Sequence, residues 1–373
     1  MNIWLTNVVL SFLIAALIAG LVIPKILLIA FRKNLFDEID ERKIHHGTVP
    51  RLGGLAFTPV VYFTIALLIG CNMVIGLPDI LDRVSTNIIP LTFGFCALTL
   101  IYVTGIADDL IGIRYRAKFV IQIICALMLV TGGLHLGNLD GFCGIYHIPM
   151  WLSYPLTVLI IVAIINAINL IDGIDGLASG LSSVALVFYG VWFFLTGYPF
   201  YSMISFATAG VLVPFFYYNV FGDPNHQKKI FMGDTGSLTI GLIICFLSLK
   251  LALFVPLTDP DMPNPLVLAF APLIVPCFDV VRVYLYRIRH GRNPFVADRN
   301  HIHHKLLNAG LKQRIAMLTI VCYSAAVTFA NIALSPMVPV TLLVVADILV
   351  WVLPNMALSR YIFRRRARLT SSD

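Results

Sequence analysis

Charged residues are scarce in this 373-residue chain: only 12% are Asp, Glu, Lys or Arg, whereas 59% are hydrophobic. A soluble domain carries about 25% charged residues, because a surface exposed to water needs charge to stay in solution. The shortage excludes a large soluble globule and indicates a protein that lies mostly in a lipid bilayer. The apolar runs are continuous, without the period-two alternation of a transmembrane barrel. The sequence therefore predicts an all-α, polytopic integral membrane protein.

The chain also lacks paired cysteine motifs and a basic N-terminal segment. None of its seven cysteines stands in a CxxC pattern, and most lie within apolar runs, which excludes a disulfide framework and a zinc site of that type. No Lys or Arg precedes Lys25, whereas a cleaved signal peptide begins with a basic region. The first apolar segment is therefore predicted to be a retained membrane helix.

The apolar runs predict about eleven membrane-spanning helices, since each span needs roughly 20 apolar residues. Residues 1–373 are predicted to form a single membrane-embedded domain, with a basic cytoplasmic tail at 358–373. The predicted spans cover roughly residues 5–31, 53–75, 87–104, 117–135, 151–168, 177–196, 199–218, 237–256, 266–287, 315–334 and 338–357.

Basic residues are distributed very unevenly about these spans. Of the 26 Lys and Arg residues, all but Arg83 and Lys250 fall on the side that carries the C-terminus. The positive-inside rule then predicts a cytoplasmic C-terminus and an external N-terminus. This bias, together with contact with anionic lipid, explains the net charge of +7, and no nucleic-acid partner is expected.

Polar residues gather in short clusters on this predicted cytoplasmic side, and two of the clusters are acidic. Polar residues near membrane depth are costly, about 2.5–3.5 kcal/mol at a helix centre, so their placement carries information. Asp108 and Asp109 directly follow an apolar run. Because adjacent carboxylates repel each other, the pair is either a solvated helix end or a cation site for phosphate chemistry.

The second cluster places an oxygen-bearing side chain at every third position near the end of an apolar helix. Such spacing is hard to explain as helix packing alone. Its members are Asn166, Asn169, Asp172 and Asp175.

The third cluster is a glycine-rich turn that enters a helix. Asp234 lies between Gly233 and Gly236, and Ser237 is predicted to cap the following helix. Such a turn offers backbone N–H groups to an anion. Asp234 is therefore either a metal ligand or an incidental member of a capping turn.

Two further clusters are basic. The first is interpreted as a transition-metal site, as a set of diphosphate and sugar contacts, or as a solvated basic loop. The all-oxygen acidic clusters favour diphosphate and sugar contacts over a metal site, because they suit Mg²⁺ better than zinc. This basic cluster contains Arg299, His301, His303 and His304. The other precedes Gly53 and Gly54 and is interpreted, taken alone, as a basic cytoplasmic loop. It contains Arg42, Lys43, His45, His46 and Arg51.

Taken together and in order, these motifs resemble those of the polyprenyl-phosphate N-acetylhexosamine-1-phosphate transferase family. The resemblance covers roughly residues 40–310 and rests on PRLGG, the Asp108–Asp109 pair, NAINLIDGIDGL, FMGDTGS and DRNHIHH. The His-Ile-His-His order after Asp298 and Arg299 resembles the N-acetylhexosamine branch. The related muramoyl-pentapeptide transferases carry three successive histidines there.

The resemblance implies a reaction and its setting. The family transfers an N-acetylhexosamine-1-phosphate, by default N-acetylglucosamine-1-phosphate, from a UDP-sugar to undecaprenyl phosphate and releases UMP. It implies Mg²⁺ as cofactor, with Mn²⁺ as the alternative. It also implies a multi-pass protein of the bacterial cytoplasmic (inner) membrane whose site faces the cytoplasm, in contact with the bilayer. A homodimer is expected by analogy alone.

The resemblance also assigns roles to individual residues. Asp234 and Asn169 are expected to hold the metal, with Asp108, Asp109, Asp234 and His303 as the catalytic group. Asp108 is a candidate base or orienting group. Lys118 is expected to contact phosphate and Asp175 the uracil. The further substrate-binding residues are Asn166, Asp172, Arg299, His301 and His304.

Two other functions compete with this enzyme. A transporter or flippase of polyprenyl-linked sugars is expected to carry polar residues near mid-membrane in broken helices, whereas here they gather at one face. A catalytically silent scaffold tolerates replacement of Asp108, Asn169, Asp234 and His303. Asp279, three residues before Arg282, is left open between a simple ion pair and a functional group.

Overall fold

The computed structural model describes residues 3–35, 49–77, 87–254, 262–291 and 300–370. Those residues are almost entirely helical. The helices are α1 Ile3–Arg32, α2 Phe57–Val74, α3 Ile88–Ile111, α4 Tyr115–Thr131, α5 Met150–Ile171, α6 Leu177–Leu195, α7 Pro199–Val220, α8 Gly233–Phe254, α9 Pro265–Phe270, α10 Ile274–Arg289, α11 Ile302–Asn308, α12 Gln313–Leu334 and α13 Val340–Thr370.

Ten helical stretches in the described ranges are long and apolar enough to cross a membrane, which confirms the all-α polytopic prediction. The remaining predicted span, 117–135, corresponds to α4, whose 17 residues rise about 26 Å at 1.5 Å each. Gly133, with φ +91°, follows the end of this helix and reverses the chain. The helix therefore ends four residues earlier than the apolar run suggested.

The sequence separated two neighbouring spans only by Thr196, Gly197 and Pro199, and the structure confirms that separation. Gly197 adopts φ +82°, which favours glycine. Pro199 is the first residue of α7, where its missing N–H costs nothing. α6 and α7 therefore form a helical hairpin rather than one long helix.

The predicted span 266–287 is one apolar stretch but not one continuous helix. α9 and α10 are joined by a 3-10 turn, Ala271–Leu273. Pro272 lies in that turn and Pro276 in the first turn of α10. Neither proline has an N–H to donate, so the regular hydrogen bonding is interrupted here. α10 carries Asp279 into the site described below.

A small β-hairpin, absent from the sequence prediction, connects α4 to α5. Strand β1, Asn138–Phe142, pairs antiparallel with β2, Ile145–His147. The Cys143 N–H donates to Thr341 Oγ1 at 2.7 Å and so ties the hairpin to α13. The hairpin lies at the end of the bundle where α4 ends and α5 begins, which we call the distal end.

The last span continues into the predicted basic tail. α13 extends to residue 370, so the boundary at 358 is not a break in the backbone. Lys305 Nζ donates to Ser359 Oγ at 2.9 Å, which ties α11 to this extension. The helical backbone thus runs through the charged segment.

α8 is the central helix, and its residues 235–251 are all buried inside the protein. It packs against α2, α3, α5, α6 and α9. Its small residues permit close approach: a Cβ added at Gly241 would lie 3.0 Å from Ile165 Cα. The start of α8 is therefore surrounded by the ends of α3 and α5 and the start of α4, which we call the site end.

Candidate active site

The start of α8 is positioned first by backbone hydrogen bonds from the PRLGG segment. The N–H groups of Gly53 and Gly54 donate to the carbonyls of Phe231 and Met232 at 3.0 and 2.9 Å. A Cβ added at Gly54 would lie 2.0 Å from the nitrogen of Gly236. The two glycines are thus required because two backbones touch. This segment is structural, a role that its interpretation as a basic loop missed.

Asp109 caps the helix that carries Asp234. Its Oδ1 accepts the Asp234 N–H at 2.7 Å. Its Oδ2 accepts the Thr235 N–H at 2.9 Å and the Thr235 hydroxyl at 2.5 Å. The first N–H groups of a helix have no partner within the helix, and Asp109 supplies one from α3.

The prediction that Ser237 caps this helix was therefore wrong. α8 already begins at Gly233, so Ser237 lies within the helix, and its hydroxyl donates back to the Gly233 carbonyl at 3.0 Å. The sequence placed the helix start too late because apolar character begins after the glycine-rich turn.

Lys118 joins Asp108 to Asp234. Its ammonium contacts Asp108 Oδ2 and lies 2.8 Å from Asp234 Oδ2. The Ile113 N–H donates to Asp108 Oδ1 at 2.6 Å. Three predicted site residues from α3, α4 and α8 thus meet around one positive charge. The two adjacent carboxylates therefore have different partners: Asp108 faces Lys118, and Asp109 faces the α8 backbone.

Asn169, at the end of α5, completes this group. Its Nδ2 donates to Asp234 Oδ1 at 2.5 Å and to Ser237 Oγ at 2.8 Å. The two predicted metal ligands are therefore neighbours. No group of three or more His, Cys, Asp or Glu side chains within the described ranges is arranged to hold a metal.

Asn166, about one turn before Asn169 on α5, has structural partners. Its Nδ2 donates to Gln122 Oε1 at 2.6 Å and to the Val162 carbonyl at 2.8 Å. Gln122, on α4, is buried, so this pair joins α4 to α5. The substrate contact of Asn166 stays a prediction.

Asp175 pairs with Lys229, which the sequence indicated only as one of the basic residues on the predicted cytoplasmic side. Lys229 Nζ lies 2.5 Å from Asp175 Oδ2, and the two side chains are 8% and 11% exposed. Asn219 Oδ1 accepts the Gly176 N–H at 2.6 Å, which fixes the turn that follows Asp175. No signal in the sequence links positions 54 residues apart.

Asp172 lies nearby at the end of α5. Its side chain reaches solvent although protein atoms surround it, the combination expected at the wall of a cleft. Burial among those atoms, followed by the negative charges of Asp234 and Asp175, raises the pKa of its carboxyl to about 7. An added cation at this place would favour the ionised carboxylate.

The histidine cluster reaches the same place through α11. A Cβ added at Gly173 would lie 2.2 Å from His303 Nε2, so the DGIDG turn and the histidine motif are in direct contact. His303 is buried, and neither ring nitrogen has a hydrogen-bond partner among the described residues. Burial, followed by the charges of His304 and His301, lowers the pKa of His303 to about 3. Its ring is therefore neutral at physiological pH.

His301 is held by Asp279. His301 Nδ1 lies 2.8 Å from Asp279 Oδ2, and the rings of His301 and His303 are parallel, with centroids 5.7 Å apart. His304 packs against His303 at 4.2 Å between centroids. The structure thus brings the three predicted histidines together. Arg299, like Arg42, Lys43, His45 and His46, lies outside the described residues.

A large apolar pocket lies elsewhere in the described bundle. Its volume is about 450 Å³, and its walls come from the distal halves of α2, α3 and α8 with part of α7. None of the predicted site residues lines it. The polar cluster at the site end, not this pocket, is therefore the candidate active site.

Known proteins match this chain over most of its length. The pattern of glycosyl transferase family 4 matches residues 91–252, which include the Asp108–Asp109 pair, the Asn169 segment and Asp234. The chain is 32% identical to the probable undecaprenyl-phosphate N-acetylglucosaminyl 1-phosphate transferase of Bacillus subtilis (strain 168). That match spans 322 residues, 84% of this chain and 81% of the relative.

Enterobacterial relatives match over a similar length. The undecaprenyl-phosphate alpha-N-acetylglucosaminyl 1-phosphate transferase of Salmonella typhi is 31% identical over 302 residues, 80% of this chain and 76% of its own length. The protein of the same name from Escherichia coli (strain K12) is 30% identical over 301 residues, with the same coverage.

Proposed function

This chain belongs to the polyprenyl-phosphate N-acetylhexosamine-1-phosphate transferase family, and we propose that it transfers N-acetylglucosamine-1-phosphate from UDP-N-acetylglucosamine to undecaprenyl phosphate, releasing UMP. The relatives named as undecaprenyl-phosphate N-acetylglucosaminyl 1-phosphate transferases match about four fifths of the chain. The observation that carries the proposal is the convergence of Asp108, Lys118 and Asp234 from three helices at one end of the bundle.

The reaction balances without a separate general base. An oxygen of the lipid phosphate forms a bond to the sugar-bearing phosphorus, and the bond from that phosphorus to the UMP oxygen breaks. The electron pair of the broken bond leaves with UMP. Because the second pKa of a phosphate monoester is about 6, the attacking oxygen is already largely deprotonated at neutral pH. Catalysis is then mainly positioning and charge stabilisation.

Lys118 is the residue we assign to the acceptor phosphate. Its ammonium is held between Asp108 and Asp234, and its side chain is 24% exposed. A phosphate arriving at this point meets a fixed positive charge. Asp108 then orients Lys118, and Asp109 positions the start of α8 without facing substrate.

Asp234 and Asn169 are the residues that would hold Mg²⁺, with Mn²⁺ as the alternative. Asp234 presents carboxylate oxygens, whereas Asn169 presents its Nδ2 to Asp234 here and would turn its amide to offer Oδ1 to a cation. Lys118 already occupies a place where positive charge is favoured. A donor set this small suits Mg²⁺, which keeps several waters and binds one or two carboxylates together with substrate phosphates. When bound, the ion withdraws charge from the phosphoryl oxygens.

The UDP-sugar donor is assigned to the turn that follows α5 and to the histidine motif. Asp175, paired with Lys229, is proposed to contact the uracil, with Asp172 beside it. The donor's diphosphate and sugar are assigned to His301, His303, His304 and Arg299. The basic bias of the sequence supports an orientation in which this end faces the cytoplasm of the bacterial inner membrane, where the nucleotide sugar is made.

The test is UMP release by the purified protein in detergent. We expect release that requires undecaprenyl phosphate, UDP-N-acetylglucosamine and a divalent cation, and that is lost in Asp234→Asn. Asp347→Asn is the matched control: Asp347 is a buried carboxylate that accepts from Asn331 at 2.7 Å at the distal end.

Two other outcomes are informative. Release with a different UDP-hexosamine alone would keep the reaction and change the donor. No release from folded protein with any UDP-sugar would overturn the proposal and favour the transporter of polyprenyl-linked sugars.

A further inference from the structure

Asp279 is a fully buried carboxylate in the second half of a broken membrane span. Its exposed fraction is 0%. Placing an ionised carboxylate there is costly unless each oxygen is hydrogen-bonded. Oδ1 accepts from Arg282 at 2.7 Å and from the Ile302 N–H at 3.0 Å. A simple ion pair with Arg282 therefore accounts for only part of its surroundings.

The other oxygen serves His301 alone. Oδ2 pairs with His301 Nδ1 at 2.8 Å, and within the described ranges no other group bonds to either of the two atoms. A carboxylate on one nitrogen of a histidine fixes the ring orientation and the tautomer, and stabilises positive charge on the ring. This leaves Nε2 as the nitrogen available to a substrate.

Asp279 also fixes the segment that carries the histidines. The Ile302 N–H that it accepts opens α11, and Arg282 donates in addition to the Asn300 carbonyl at 2.5 Å. One carboxylate on α10 thus determines where α11 starts and how its neighbouring imidazole is turned. The His301 ring is parallel to the His303 ring, and His303 contacts Gly173 in the turn between Asp172 and Asp175.

We propose that Asp279 is a positioning residue that holds His301 with Nδ1–H toward α10 and Nε2 toward the donor's diphosphate. When His301 carries a proton on both ring nitrogens, Nδ1–H donates to Asp279 Oδ2 and Nε2–H donates to a phosphoryl oxygen as negative charge develops there, while the Asp279 carboxylate balances the positive ring. This assignment rests on the proposed function for its substrate, whereas the hydrogen-bond geometry stands independently of it.

The test is a double-mutant cycle with Asp279→Asn and His301→Gln. The amide of Asp279→Asn has the size of the carboxylate but lacks the negative charge that stabilises the protonated His301 ring. We expect kcat to fall about 10–100-fold, as is typical for partners of a functional histidine, with the KM for undecaprenyl phosphate unchanged. In the His301→Gln background the same substitution should have no further effect on kcat.

A second readout does not depend on turnover. In protein labelled with ¹⁵N-histidine, the His301 signal, identified by its loss in His301→Gln, should report a protonated Nδ1. Asp279→Asn should shift this signal, and the distal control Asp347→Asn should leave both the signal and kcat unchanged. If Asp279→Asn does not fold, Asp279→Glu replaces it, because the added methylene displaces the oxygens and keeps the charge.

Three results would overturn the proposal: unchanged kcat in Asp279→Asn, additive losses in the cycle, or an unprotonated Nδ1 in the wild type. A wild-type protein inactive with every UDP-sugar would contradict the proposed function. In that case the ¹⁵N signal would still decide whether Asp279 sets the tautomer.

Discussion

Asp108 and Asp109 are adjacent in the chain, but their side chains contact different helices. Successive residues of an α-helix point about 100° apart. Asp108 therefore faces Lys118 on α4, whereas Asp109 faces the backbone of α8. The sequence identified the pair as unusual, but it grouped both residues as catalytic. Only the position of α8 separates the side chain that contacts Lys118 from the one that accepts the N–H groups of α8.

This difference in partners predicts different losses for substitutions at the two positions. Asp109→Ala should lower the free energy of unfolding by about 0.5–2 kcal/mol, the usual cost of a lost helix cap, because the Asp234 and Thr235 N–H groups lose their acceptor. Asp108→Asn should lower kcat and leave the unfolding midpoint close to that of the wild type. Thermal unfolding and UMP release, measured on both variants, check this. Equal destabilisation of the two would contradict the assignment.

His303 predicts a pH dependence of stability. Its pKa is about 3 in the folded protein and about 6.5 when unfolded, so below pH 6.5 the unfolded chain binds the proton more readily. Stability should therefore be full above pH 6.5 and fall as the pH drops toward 3, by about 2 kcal/mol between pH 7 and 5.

The matched comparison uses two histidine substitutions. His303→Asn should remove this part of the acid sensitivity, so its unfolding midpoint should fall less between pH 7 and 5 than that of the wild type. His147→Asn, at an exposed position on β2, should retain the wild-type slope. An unchanged slope in His303→Asn would show that other groups cause the acid sensitivity.

At the scale of the helices and strands, the sequence predicted interiors better than ends. Continuous apolar runs located the spans, and Gly197 with Pro199 located the break between α6 and α7. The start of α8 was missed because it is set by Asp109, 125 positions away from Asp234 in the chain. The break in the ninth predicted span and the hairpin after α4 were missed as well, because hydropathy does not register a 3-10 turn or a short strand pair.

The contact between α3 and α8 gives the prediction for this scale. A Cβ added at Gly105 would lie 2.4 Å from Thr235 Cα, a backbone atom that cannot rotate away. Gly105→Ala should push the two helices apart, at a cost of about 1–3 kcal/mol, and should also lower kcat because Asp108 and Asp234 separate. Gly70→Ala, at a helical glycine with open space around its Cβ position, is the control. Wild-type turnover in Gly105→Ala would mean that the helices adjust without disturbing the site.

At the scale of the whole molecule, the site exists only where several helix ends meet. The sequence predicted that the polar motifs lie together, since they alternate with apolar spans, and the structure brings those that it describes to one end of the bundle. It did not predict the pairings of Asp175 with Lys229 or of His301 with Asp279, because each joins residues from different elements of the fold. For the same reason it did not predict that Asp108 and Asp109 have different partners.

Orientation in the membrane is the last prediction, and it decides which substrate pool the site meets. Native Cys143 is exposed in the distal hairpin, and Gln227 is exposed in the loop between α7 and α8 at the site end. In a background without the other six cysteines, a membrane-impermeant maleimide should label Cys143 in intact cells with a permeable outer layer. In the same background with Cys143 also replaced, Gln227→Cys should be labelled only after the inner membrane is opened. The reverse pattern would place Lys118, Asp234 and the histidines outside, away from cytosolic nucleotide sugars, and would exclude the proposed donor.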